Sequence, residues 1–88
     1  MGQNSGEIQI RIRLFAQYRE ATGKSTINML IPNSSSVSDV LELLFNEHPS
    51  LPPGRSSTVV AVNQSYAEHN HLLQAHDELA LIPPVSGG

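Results

Sequence analysis

The sequence contains no cysteine, which removes disulfides, thiolate metal ligands, thiol nucleophiles and any persulfide carried on a side chain. Any sulfur chemistry must therefore use another group. Basic residues are also few: five Lys and Arg stand against eight Asp and Glu, for a formal net charge of -3. No block of them builds the positive footprint of a nucleic-acid binder. Long apolar runs are missing, the longest being far short of the roughly 20 residues that span a bilayer. Residues 1–6 lack the basic start and apolar centre of a secretory signal, so a cytoplasmic protein is expected, with no membrane role. Met1-Gly2 does not make a myristoylation motif, because Gly6 stands where Ser or Thr is required.

What is present is enough for one folded domain. The chain has 88 residues, 39% of them hydrophobic and only 15% charged, a balance typical of globular rather than disordered chains. A chain this short buries only about 60 to 70% of its unfolded surface. A deep private catalytic cleft is therefore not expected.

Ile8, Ile10, Ile12 and Leu14 alternate with Gln9, Arg11 and Arg13, the period-two pattern of a strand with one buried face. Residues 26–31 alternate again, with Ile27, Met29 and Ile31 on one side, and a hairpin with a long turn over 17–24 joins the two. Ser36 and Asp39 have the spacing of a capping box. Val37, Val40, Leu41, Leu44 and Phe45 then repeat at helical spacing up to Pro49. Pro52, Pro53 and Gly54 form a rigid connection to residues 59–62, a β-branched run that reads as a buried strand closed by Asn63 and Gln64. Residues 65–77 are polar and read as irregular with a brief strand or turn, and 79–82 supply a last strand. Two strands, a helix, then further strands predict an α+β fold: a ubiquitin-like β-grasp, with a mixed sheet packed on one main helix. A split ferredoxin-like fold would need a second helix, and its only candidate, residues 66–75, has no apolar face. The expected division is a flexible extension over 1–7, the domain over 8–83 and an extended tail over 84–88.

The sequence closes with Ile82-Pro83-Pro84-Val85-Ser86-Gly87-Gly88. Two prolines donate nothing to a sheet ladder and hold φ near -65°, so the last strand stops there and the chain leaves the body extended. Gly87 and Gly88 carry no side chains and fit a narrow channel. From Pro84 to Gly88 the reach is at most about 16 Å, enough to enter another protein's active site. The Gly88 carboxylate is unhindered but a poor electrophile, and the chain has no evident ATP site. Its activation must come from a partner.

Several stretches carry a resemblance. Leu14-Phe15-Ala16, Arg19-Glu20 and Gly23, then Val62-Asn63-Gln64, then Asp77-Glu78 through Pro83-Pro84-Val85-Ser86-Gly87-Gly88 make the chain similar to the family of molybdopterin synthase small subunits, sulfur carriers of the ubiquitin-like superfamily. The similarity covers most of the chain, and the combination is specific where no single piece is. His76 departs from it, since related chains often place Gly before the Asp-Glu pair. The resemblance implies a non-catalytic subunit of a sulfurtransferase complex. A ubiquitin-activating-like adenylyltransferase would adenylate Gly88, a sulfur donor would convert the adenylate to a thiocarboxylate, and the loaded tail would enter the large subunit. There its sulfur would go to cyclic pyranopterin monophosphate to build the molybdopterin dithiolene, in a heterotetramer of two small and two large subunits. No permanently bound cofactor is implied, only a transient 1-thioglycine at Gly88 with Gly87 beside it. Related carriers serving thiamine or another sulfur pathway, and protein modifiers that attach their tails to lysines, are the alternatives.

Docking needs a surface as well as a tail. Phe15 falls opposite the core set of the first strand, so an exposed aromatic is expected there. By resemblance, Tyr66 and Ile82 lie on the same docking face, Arg19 offers an ion pair across it, and Pro83, Pro84, Val85 and Ser86 contact the partner. Other signals carry little. Gly23-Lys24-Ser25 lacks the first glycine of a phosphate-binding loop. His69, His71 and His76 lack the spacing of any defined metal site, so no metal is expected. Asn33 and Asn63 head glycosylation sequons, which mean nothing without secretion, and no Ser-His-Asp triad is supported.

Overall fold

The computed structural model describes residues 6–84; residues 1–5 of the expected extension, and Val85, Ser86, Gly87 and Gly88 of the tail, lie outside the described residues. Strand β1 (Glu7–Leu14) pairs antiparallel with β2 (Thr26–Pro32), setting Ile10 opposite Met29 and Ile12 opposite Ile27. Alternation puts Ile10, Ile12, Leu14, Met29 and Ile31 inside and the Arg residues of β1 on the other face. Glu7, assigned to the extension by the sequence reading, opens β1 opposite Pro32.

The connection between these strands is helical. Helix α1 (Ala16–Thr22) occupies most of the stretch expected as a turn, and Gly23 ends it with φ 75°, its N–H donating to the Arg19 carbonyl at 2.8 Å. Seven residues with Tyr18 alone buried give no periodicity to read, and Phe15 at the N-cap makes no side-chain cap. Gly23, the usual left-handed helix stop, is the one local signal for it.

Helix α2 (Val37–Glu47) starts at a complete capping box: the Asp39 N–H donates to Ser36 Oγ at 3.2 Å and the Ser36 N–H to Asp39 Oδ2 at 3.0 Å. Such a cap contributes about 1 kcal/mol. Val37, Val40, Leu41 and Leu44 are buried against the sheet, and Phe45 is half-buried beside them. A short 3-10 turn (Arg55–Ser57) leads into β3 (Val59–Val62), which turns back into β4 (Ser65–Ala67). Asn63 and Gln64 form this two-residue turn with φ 51° and 73°, the signs a type I′ hairpin needs.

Strand β5 (Glu78–Ile82) enters the middle of the sheet, parallel to β1 and antiparallel to β3, giving the order β2-β1-β5-β3-β4. This is the mixed β-grasp sheet expected from the element order. Leu79 and Leu81 face α2 and are fully buried. Among the described residues no helix is long and apolar enough to cross a membrane.

His76, the position where a glycine was noted as usual, has φ 70° and donates its N–H to the Gln9 carbonyl at 2.7 Å. A side chain there works against backbone sterics by about 1 kcal/mol, partly offset by the extra unfolded freedom of glycine. His76→Gly is therefore expected to raise stability by about 0.5 kcal/mol, and His76→Val, β-branched, to lower it by about 1 kcal/mol. Denaturant midpoints in any order other than Gly, His, Val would refute the strain.

Candidate functional site

The face of the sheet away from α2 carries a groove. Its floor is a row across four strands, Arg13 opposite Ala80, Ala80 opposite Ala61, and Ala61 opposite Tyr66. Small side chains at 61 and 80 keep the floor low, while Phe15, Ile82, Tyr66 and Gln64 rise around it. Phe15, 37% exposed, and Tyr66, 79% exposed, are unusual positions for aromatics unless something covers them. Ile82 is half-buried at the end of β5. The structure thus brings together Phe15 from the junction of β1 and α1, Tyr66 from β4 and Ile82 from β5.

Arg19 does not join them. It sits exposed on α1 and is not among the residues lining the groove. Val59, read from sequence as part of a buried strand, is 50% exposed and pairs with Ile82. The run of four β-branched or small residues hides an alternation: Val60 and Val62 face the core, Val59 and Ala61 the opposite face of the sheet. Arg13, Ala61, Ala80 and Glu78 are groove residues that sequence reasoning missed, and the two alanines set among leucines and valines were the available sign.

Glu78 supplies the charge of the site. Its Oε2 accepts from Arg13 Nη1 at 3.3 Å and lies 3.8 Å from Arg11 Nη1. Asn63 clamps its backbone: the Glu78 N–H donates to Asn63 Oδ1 at 3.0 Å and the Asn63 N–H to the Glu78 carbonyl at 2.8 Å. Asn63 Nδ2 also donates to Asp77 Oδ1 at 2.9 Å, and Asp77 Oδ2 accepts the Gln74 N–H at 2.8 Å. The Val62-Asn63-Gln64 and Asp77-Glu78 motifs are two halves of this clamp, joined by Asn63 contacts to residues 14 and 15 positions further along the chain.

The last described residues lead out of the groove's edge. Pro83 is half-buried and Pro84 exposed. Pro84 borders a narrower cleft between α1 and the 52–54 loop, with Gln17, Pro53, Val59 and Ile82. Val85, Ser86, Gly87 and Gly88 fall outside the described residues. No group of three or more His, Asp or Glu residues is placed to hold a metal among those described. His69 is instead tied to the fold, its Nε2 lying 2.6 Å from the Thr58 carbonyl.

Known proteins are similar to this chain in sequence and fold. The molybdopterin synthase sulfur carrier subunit of Arabidopsis thaliana is 38% identical over 85 residues, which cover 97% of this chain and 88% of that one. Small archaeal modifier protein 1 of Haloferax volcanii is 33% identical over 88 residues, with 86% of this chain and 97% of that one covered. The crystal structure of SAMP1 from the same organism superimposes with a TM-score of 0.77 at 30% identity, covering 91% of this chain and 99% of that chain. A model of the ThiS family matches residues 12–88. Matched from the centre of its first strand to its final glycine, the chain belongs to the ThiS family.

Proposed function

We propose that this chain is the sulfur-carrier subunit of a molybdopterin synthase, loaded at Gly88 and unloaded inside a large partner subunit. The observation that carries the reading is convergence. Phe15, Tyr66 and Ile82 meet on one open groove, and the strand that supplies Ile82 runs directly into Pro83 and Pro84. A docking surface at the root of the C-terminal segment lets a partner grip the body while Gly88 is delivered to its active site. The name of the Arabidopsis relative supports the same role.

The chemistry follows from the carboxylate. In an adenylyltransferase, a Gly88 carboxylate oxygen attacks the α-phosphorus of ATP and pyrophosphate leaves, which turns a poor electrophile into an acyl adenylate. A sulfur nucleophile from the donor displaces AMP and leaves a thiocarboxylate. In the large subunit the thiocarboxylate sulfur bonds to a side-chain carbon of cyclic pyranopterin monophosphate as that carbon's bond to oxygen breaks and the oxygen group departs. Water then hydrolyses the resulting thioester, which leaves the sulfur on the pterin as a thiolate and returns Gly88 as a carboxylate. Two loaded chains supply the two dithiolene sulfurs, which suits a heterotetramer of two small and two large subunits. Within this cycle the chain's own residues bind and position. The groove docks, Pro83 and Pro84 withhold N–H donors that would draw the tail back onto the sheet, and the glycines pass through constrictions that a Cβ would block.

Intact mass tests the reading. Incubation with the activating enzyme, ATP and a sulfide source is expected to add about 16 Da, the excess of sulfur over oxygen; an unchanged mass where a known carrier is loaded rejects it. Docking has a separate readout. Phe15→Ala is expected to weaken association with the large subunit by more than about 1 kcal/mol, and calorimetry showing equal affinity counts against the groove. The similarity to an archaeal modifier protein favours a second reading, attachment of the tail to lysines. Higher-mass conjugates in lysate, absent when Gly88 is removed, would establish it.

A further inference from the structure

We propose that Arg13 and Glu78 are positioning residues that hold the Phe15 ring in its docking pose before any partner arrives. The proposal rests on the groove being the docking surface. An exposed aromatic at the end of a strand ordinarily samples several rotamers, and the freedom it loses on docking weakens binding. Three features of this chain remove that freedom beforehand.

The first is the backbone. The Phe15 carbonyl accepts the Tyr18 N–H at 3.0 Å and the Arg19 N–H at 3.4 Å, so it starts α1. Ala16 follows with φ 48°, a left-handed conformation that non-glycine residues rarely adopt and that turns the chain sharply off β1. The second is the Arg13 guanidinium, whose carbon lies 5.4 Å from the centroid of the Phe15 ring, within cation–π range. Phe15 lies one residue past β1 but keeps extended backbone angles (φ -125°, ψ 158°), so it falls on the same groove face as Arg13 two residues earlier. The third is Glu78, which fixes Arg13 through the 3.3 Å contact and is itself fixed by the Asn63 clamp on its backbone. Glu78 also faces Arg11 at 3.8 Å. Without its charge, Arg11 and Arg13 would repel each other on a bare face, and Arg13 would leave the ring. The order of action is thus Asn63 to Glu78, Glu78 to Arg13, and Arg13 to Phe15.

Nuclear magnetic resonance of the free full chain tests this without a partner. The Arg13 side-chain protons should be shifted upfield by the ring current of Phe15, and Phe15 should populate one χ1 rotamer. In Arg13→Ala, Phe15 is expected to average among rotamers; in Glu78→Gln, whose backbone clamp is unaltered, the upfield shift should fall by about half or more. Arg13→Lys, which keeps a cation, should restore part of the rotamer preference. Titration with the large subunit then shows whether the pose matters. Arg13→Ala and Glu78→Gln should each weaken binding about threefold, and the double variant no further. In a Phe15→Leu background Arg13→Ala should have no effect. An unchanged Phe15 rotamer in both single variants overturns the proposal. So does a loss on Arg13→Ala that persists in the Phe15→Leu background, since Arg13 would then touch the partner directly. If the unsubstituted chain does not bind the large subunit at all, the carrier reading fails, and the spectra alone decide this one.

Discussion

Truncation after Ser86 is expected to abolish loading: no gain of mass with the activating enzyme, ATP and sulfide, and no cofactor synthesis in a cell that depends on the chain. Such a variant still ends in a carboxylate, so the prediction concerns place and shape rather than the presence of the group. The lost residues shorten the reach by about 7 Å, and a carboxylate held several ångströms short of the phosphorus it must attack does not react. The new terminus also carries the Ser86 side chain, where the intact chain has only hydrogen. Gly88→Ala separates the two causes, because it restores length and keeps a Cβ. It should load at an intermediate rate if reach dominates, and as poorly as the truncation if width does. Thermal melting of the truncated chain should match that of the intact one, which separates loss of chemistry from loss of fold. A truncated chain that loads at the intact rate would end the carrier proposal.

Leu81→Ala is expected to cost about 3 to 4 kcal/mol. Leu81 is fully buried on β5, opposite Leu14 on one neighbouring strand and Val60 on the other. Rigid ladders on both sides restrain the strands from closing over the void, so the low end of the usual range of about 2 to 5 kcal/mol does not apply. A domain of this size has a total stability of about 4 to 13 kcal/mol. The substitution therefore removes about a quarter of the stability in the stronger case and nearly all in the weaker. Leu30→Ala is the control: Leu30 is 60% exposed on edge strand β2, and its change should stay within about 0.5 kcal/mol. Urea denaturation measures both. A loss under about 1 kcal/mol for Leu81→Ala would mean that the core around β5 repacks freely.

How much of this could be read from the sequence depended on how local each signal was. The alternation of Ile8 to Leu14, the capping box of Ser36 and Asp39, and the helical repeat from Val37 to Phe45 are complete within a few residues, and the elements formed where they pointed. Helix α1 was not legible because Tyr18 is its only buried residue, and one buried position defines no period. Val59 was misread for the opposite reason: in a run of apolar residues the face each takes is set by pairing with β5, not by composition. The groove was partly visible. Phe15 stood out by breaking the alternation, but Tyr66 and Ile82 came from resemblance, and the roles of Asn63, Asp77 and Glu78 emerge only when strands distant in sequence are brought together. Arg19 was a reasonable ion-pair candidate on a turn, whereas α1 carries it away from the groove lining.

The placement of β5 also bears on force. It is bonded along its length to β1 on one side and β3 on the other, four residue pairs in each ladder, and Asn63 anchors its far end at Glu78. When a partner draws on the segment beyond Pro84, tension runs along the strand axis, and the bonds of both ladders are stressed in shear together rather than peeled one after another. Strands held this way resist extraction, because many bonds must fail at once. A pull on the C-terminal segment would therefore meet this shear resistance first and leave the body whole.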